Sequence, residues 1–161
     1  MRTFELSDGR IFRKEVKAII LNENYDTLLV QPCQNEDIAW TFVYGGVEKD
    51  ETSTEAVKRE IFEKIGVQNF ISVEKSAICH ASELDPSIKS KEGLDYDGSI
   101  SDIFLVKIAG NSEIHLQVEE VKEFCWVTFQ TVKDYVKTPA HLSIFEKTAT
   151  EFGISTARNK Y

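Results

Sequence analysis

A chain of 161 residues suits one domain, and at that size about two-thirds of the unfolded surface can be buried. Hydrophobic residues at 42% supply a core, while a formal net charge of −8 excludes a generic duplex nucleic-acid or anionic-membrane surface, because most of the molecule repels phosphate. A polyanionic substrate would therefore need divalent cations or a local basic patch.

In chain order, residues 15–22 (EVKAIILN) and 26–32 (DTLLVQP) are aliphatic, β-branched runs around Asn22-Glu23-Asn24-Tyr25, and predict a hairpin. Residues 39–44 (AWTFVY) alternate, which places Trp40, Phe42 and Tyr44 on one face; Gly45-Gly46 are expected to end that strand. A helix follows, opened by a Thr52/Glu55 capping box and stopped by Gly66, with Val57, Ile61 and Ile65 as its apolar stripe. Glu60 and Glu63 then share the opposite side, and Lys64 lies beside Glu60. Strands are predicted over 70–80, 100–108 and 120–128. Between the first two, residues 82–99 are polar and contain proline and two glycines. They read as a long loop, a substrate lid or a disordered segment. A short helix over 131–137 and a longer one over about 138–152, opened by Thr138-Pro139 and stopped at Gly153, complete the elements. The tail, 155–161, is expected to fray. Strands interleaved with two helical regions predict an α/β/α sandwich around a mixed sheet.

Residues 45–67 read GGVEKDETSTEAVKREIFEKIGV. This stretch resembles the box of the Nudix hydrolases, G-x5-E-x7-R-E-U-x-E-E-x-G-U with U aliphatic. Gly45, Glu51, Arg59, Glu60, Ile61, Glu63, Gly66 and Val67 fall on the pattern, and Lys64 stands where the family has a second consecutive glutamate. The resemblance implies the Nudix α/β/α sandwich over the whole chain. It also implies metal-dependent hydrolysis of a diphosphate bond in a nucleoside diphosphate linked to another group. Cleaving such a bond needs charge neutralisation on non-bridging oxygens, a positioned water and a base, and a hard cation such as Mg²⁺ or Mn²⁺ serves the first need through oxygen ligands. By resemblance, Glu60 and Glu63 hold the metal with a backbone carbonyl near the glycine turn. Glu51 and Arg59, with Gly45, Gly46 and Gly66, shape the box.

Lys64 exchanges a −1 ligand for a +1 group. At about 4 Å it opposes a cation by roughly 4 kcal/mol per unit of metal charge at a near-surface dielectric, and it follows Glu60 in the favourable order for a helical ion pair. Three outcomes stay open. The lysine snorkels outward and fewer metals bind; catalysis is lost and a nucleotide-binding or interaction module remains; or the ammonium meets substrate phosphate in place of one metal.

Residues 119–127 (EEVKEFCWV) resemble the E-U-x-x-U-x-W-U segment of the branch that contains RNA 5′-pyrophosphohydrolases and diadenosine polyphosphate hydrolases. That match makes Glu120 the candidate base or further metal ligand, with Glu119 as its fallback; a charged strand end is the alternative. WTFVYGG is similar to the same branch's W-x-F-P-x-G-G, with Val43 in place of proline. Trp40 and Tyr44 are candidate stacking partners for a base, although an alternating aromatic strand equally describes core. Lys89 and Tyr96 are the candidates from 82–99 to meet phosphate and base.

Cys33, Cys79 and Cys125 lack C-x-x-C spacing, and each sits in an apolar setting that predicts a buried free thiol. His80, His115 and His141 show no metal spacing and read as ordinary surface or interface residues. The start has no apolar signal region, and no apolar run approaches the roughly 18 residues of a membrane span. The expected setting is cytoplasmic, the expected partner a small-molecule nucleotide with no membrane and no duplex nucleic acid, and a homodimer is left open.

Overall fold

The backbone of the fold is one eleven-residue strand whose alternating side chains seed two cores. In the computed structural model, which describes residues 1–33 and 39–154, this strand is β2 (Ile11–Leu21), preceded by a short β1 (Thr3–Glu5). Val16, Ala18 and Ile20 point to one side and Ile19 and Leu21 to the other, all of them buried, as the two-residue period requires. β6 (Gly98–Lys107) runs parallel to β2 from Phe12↔Gly98 to Leu21↔Lys107. Along the other edge of β2, three strands pair antiparallel in succession: β1, β4 (Val43–Gly46) and β3 (Thr27–Pro32). β5 (Ser72–Glu83) extends the sheet beyond β6, and β7 (Val121–Val127) extends it beyond β3. The order β5-β6-β2-β3-β7, with β1 and β4 also on β2, makes a mixed seven-stranded sheet.

Helix α1 (Ser53–Ile65) covers the first face, packing Val57, Ile61 and Ile65 over Val16, Ala18, Ile20 and Phe104. A 3-10 turn (Phe129–Thr131), α3 (Val132–Tyr135) and α4 (Pro139–Glu151) cover the second, where Ile144, Phe145 and Ala149 meet Ile19, Leu21, Leu29 and Ile103. The result is the α/β/α sandwich anticipated from the element order. Both ends of α1 follow the local signals. Glu55 N–H donates to Thr52 Oγ1 at 3.1 Å, and Gly66 takes φ 75°.

Several local expectations need correction. The strand expected over 39–44 is shorter and shifted: β4 covers Val43–Gly46, and the glycine pair ends it as its last two residues, opposite Val16 and Glu15. The segment 82–99 is not one long loop. Asp85 accepts from Ser87 N–H at 2.8 Å, Pro86 occupies the first turn and Gly93 (φ 64°) closes α2 (Pro86–Glu92), a helix that buries none of its residues. Nor are the thiols buried as a set. Cys33 and Cys79 are exposed and Cys125 is half-buried, because Cys33 lies beyond the end of β3 and Cys79 sits at a register shift in β5. The tail segment 155–161 lies outside the described residues. Among the described residues no helix is long and apolar enough to cross a membrane.

Candidate active site

The box side chains converge where the middle of α1 meets the edge of β4. Closest approach is made possible by a missing side chain. A Cβ on Gly45 would lie 2.0 Å from the Glu60 carboxyl carbon and 2.3 Å from each of its oxygens. Glycine at 45 therefore lets a carboxylate rest directly against the strand backbone. Glu60 is buried there at 8% exposure, and burial raises its carboxyl above the ordinary range although Lys64 and Arg59 pull the other way.

Both Glu60 oxygens are occupied. Arg59 Nη1 donates to Oε1 at 3.0 Å, and Lys64 Nζ stands 3.6 Å from Oε2. Arg59 also clamps the loop before the helix. Its Nε and Nη2 donate to the two Glu51 oxygens at 2.7 and 2.8 Å, and Nη2 donates further to the Gly46 carbonyl at 2.8 Å. Glu51 in turn accepts from Glu48 N–H at 2.9 Å. This bidentate fork holds the Glu51 carboxyl below its usual value, with the arginine hydrogen bond as the main cause. Glu63 shares the helix face with Glu60 as the spacing requires, but it meets Arg59 Nη1 at 3.1 Å and is half-exposed.

Lys64 does not snorkel into solvent. Its ammonium donates to the Tyr44 carbonyl, lies 3.9 Å from Glu120 Oε2, and sits 4.6 Å from the Tyr44 ring centroid, with the side chain only 14% exposed. The fold thus brings Glu60 and Glu120 to one point and places a lysine at it, while Glu119 contributes no ion pair or hydrogen bond among those observed. Among the described residues no three His, Cys, Asp or Glu side chains converge in a way that suits a metal ion. The donors present therefore do not fit the full divalent complement that a third glutamate at position 64 would complete.

Near the Tyr44 ring lies a polar patch that the sequence did not single out. Lys17 Nζ is 5.4 Å from that ring, donates to Ser101 Oγ at 3.2 Å and pairs with Glu15 at 3.8 Å. Arg13 stands 3.2 Å from Glu15, and its guanidinium lies 5.7 Å from the Tyr96 ring centroid. Burial lowers the Lys17 ammonium and raises the Tyr44 phenol. His141 is half-buried rather than an ordinary surface histidine. Its Nδ1 is 3.3 Å from Thr41 Oγ1, and burial, then Lys17 and His80, push its pKa down to about 4. The available signal was Glu15 and Lys17 themselves, two charges on the face of an otherwise aliphatic strand that also carries Ile19 and Leu21.

The remaining candidates scatter. Trp40 packs edge-on against Tyr135, 6.2 Å between centroids, within the second core. Lys89 is bound to Asp97 at 2.7 Å. Tyr96 reaches the polar patch through Arg13. A separate cleft of about 420 Å³, lined by Arg2, Lys14, Ser53, Lys75 and the buried Asp102, opens beside the first turn of α1 and contains none of the box carboxylates.

Comparison with known proteins matches residues 11–147 to the NUDIX domain model. The chain is 31% identical over 129 residues to an RNA pyrophosphohydrolase of Helicobacter pylori (strain G27), covering 78% of this chain and 82% of the relative. It is 28% identical over 131 residues to an RNA pyrophosphohydrolase of Sulfurovum sp. (strain NBC37-1), covering 77% and 80%. Among solved structures, the E. coli dihydroneopterin triphosphate pyrophosphohydrolase superposes with a TM-score of 0.72 at 15% identity, covering 87% of this chain and 98% of that one, which is a likeness of fold.

Proposed function

Because the chain belongs to the Nudix family and is a pyrophosphohydrolase of that family, we propose that it cleaves a P–O–P bond in a nucleoside diphosphate linked to another group, the 5′-polyphosphate end of an RNA included. The observation that carries this reading is the meeting of Glu60, Lys64 and Glu120 at the Tyr44 carbonyl, with a basic, polar patch one aromatic ring away.

In this reaction a water oxygen bonds to phosphorus, the bridging P–O bond breaks, and its electron pair leaves with the departing phosphate. The half-exposed Glu120 is the base that takes the water's proton. Arg59 and Gly45 hold Glu60 in place, and Glu51 holds Arg59. Tyr44 presents its ring to the nucleotide, and Lys17, Arg13 and Tyr96 form the ground on which the phosphates and base lie. Lys89 takes part only after it releases Asp97. A reduced complement of Mg²⁺ or Mn²⁺ at Glu60, Glu63 and Glu120 would supply charge neutralisation and a more acidic water.

A second reading has its own observation: both oxygens of Glu60 are held by resident cations. On that reading the domain binds nucleotide without cleaving it. A panel of 5′-triphosphorylated RNA, nucleoside triphosphates, a dinucleoside tetraphosphate and ADP-ribose, run with Mg²⁺ and with Mn²⁺, decides between them. Release of a nucleoside or RNA 5′-monophosphate supports hydrolysis. Tight binding that is indifferent to metal, with no product, supports the binding module.

A further inference from the structure

The Lys64 ammonium is enclosed by a backbone carbonyl and two carboxylates, the all-oxygen surroundings that a hard divalent ion takes. It is held there on three sides. The Tyr44 carbonyl accepts one N–H, the Tyr44 ring lies beneath the charge, and the side chain is largely withdrawn from solvent. A divalent ion brought to the same point would meet a like charge at contact distance, and would find one Glu60 oxygen already bonded to Arg59.

Lysine carries three N–H donors. The carboxylates, at 3.6 and 3.9 Å, attract the ammonium without reaching hydrogen-bond distance, so the Tyr44 carbonyl is the one observed acceptor. Donors therefore remain for a phosphate oxygen arriving between α1 and Glu120. Lys17, 5.4 Å from the same Tyr44 ring, is a second cation beside it.

We propose that Lys64 is a resident cation that replaces one divalent ion, orienting Glu60 and Glu120 and meeting a non-bridging oxygen of the substrate's diphosphate. The inference rests on the pyrophosphohydrolase reading, and it predicts that the protein binds one divalent ion fewer than the same chain with glutamate at position 64.

Two measurements test it without turnover. The first counts Mn²⁺ bound per chain, by titration with paramagnetic detection, in the natural protein and in Lys64→Glu; the variant should hold about one more ion at saturation. The second titrates inorganic pyrophosphate in the presence of EDTA. Lys64→Met, or Lys64→Gln if the methionine variant does not fold, should bind it about tenfold or more weakly than the natural chain, the loss of one charge-assisted hydrogen bond. The same Mn²⁺ number in both proteins, or unchanged pyrophosphate binding after loss of the ammonium, overturns the proposal. Failure of every nucleotide in the panel to turn over would instead strike at the hydrolase reading and leave both of these readouts intact.

Discussion

Replacing Gly45 by alanine tests whether the strand backbone sets the position of Glu60. The new methyl would stand 2.0 Å from the carboxyl carbon, where ordinary contact between heavy atoms needs about 3.5 Å. The carboxylate must therefore retreat by about 1 Å or more, and it has little freedom to do so. It is buried, and its oxygens are tied to Arg59 at 3.0 Å and drawn to Lys64 at 3.6 Å. Overpacking of this kind costs about 1–3 kcal/mol. For a chain of 161 residues, an unfolding entropy near 2.1 cal/mol/K per residue converts that loss into a Tm lowered by about 3–9 °C. The effect on catalysis is larger, since a displacement of about 1 Å in a positioning group can cost about 100-fold in rate. Thermal unfolding and steady-state hydrolysis of the best substrate from the panel, measured on the same preparation, give both numbers. A Gly45→Ala protein that turns over within about threefold of the natural rate would refute the argument that this contact positions Glu60 for the proposed reaction.

The Glu51–Arg59 fork should behave as a coupled pair. Arg59→Met should cost about 3 kcal/mol, because it also strands the Gly46 carbonyl, and a double-mutant cycle with Glu51→Gln should show about 1–3 kcal/mol of coupling in urea unfolding, whereas additive losses would contradict the fork. His141, held near 4 by burial, Lys17 and His80, takes up a proton less readily folded than unfolded. Stability should therefore fall as pH drops from about 6.5 towards 4, by about 1–2 kcal/mol after allowance for its partial exposure, and His141→Gln should flatten that slope. A wild-type slope that survives the substitution assigns the acid sensitivity elsewhere. One such source is Glu51, whose lowered carboxyl stabilises the fold above its unfolded value near 4.5 and loses that contribution as pH falls through the folded one.

How far the sequence could be followed depends on how local each determinant is. The α1 caps, its Val57-Ile61-Ile65 stripe and the β2–β3 hairpin are written within a few residues, and they appear as expected, the hairpin closed by Asn22 Oδ1 accepting from the Asn24 and Asp26 N–H groups. α2 was obscured because it buries no residue, so it carries no apolar stripe. The Asp85-Pro86 start and the Gly93 stop were its only marks. At the site, Glu60 and Lys64 stood out from the box pattern and Glu120 from the segment 119–127, but their mutual geometry did not. Helical spacing placed Glu63 with Glu60, yet Arg59 reaches both carboxylates, a length-of-side-chain effect that a helical wheel ignores. The contact between Gly45 and Glu60, and the seat of Lys64 on Tyr44, join residues fifteen and twenty positions apart across a strand and a helix. Lys17 and Glu15 escaped notice for a similar reason: their partners Ser101, Tyr44 and His141 come from β6, β4 and α4.

The most direct test of the hydrolytic centre is the rate of Glu60→Gln with the best substrate of the panel. The amide keeps the shape beside Gly45 and the contact with the strand, but it removes the charge that draws Arg59 and Lys64 together. Turnover should fall by about 100-fold or more while substrate still binds. A Glu60→Gln protein that hydrolyses at the natural rate would place the chemistry somewhere other than this carboxylate.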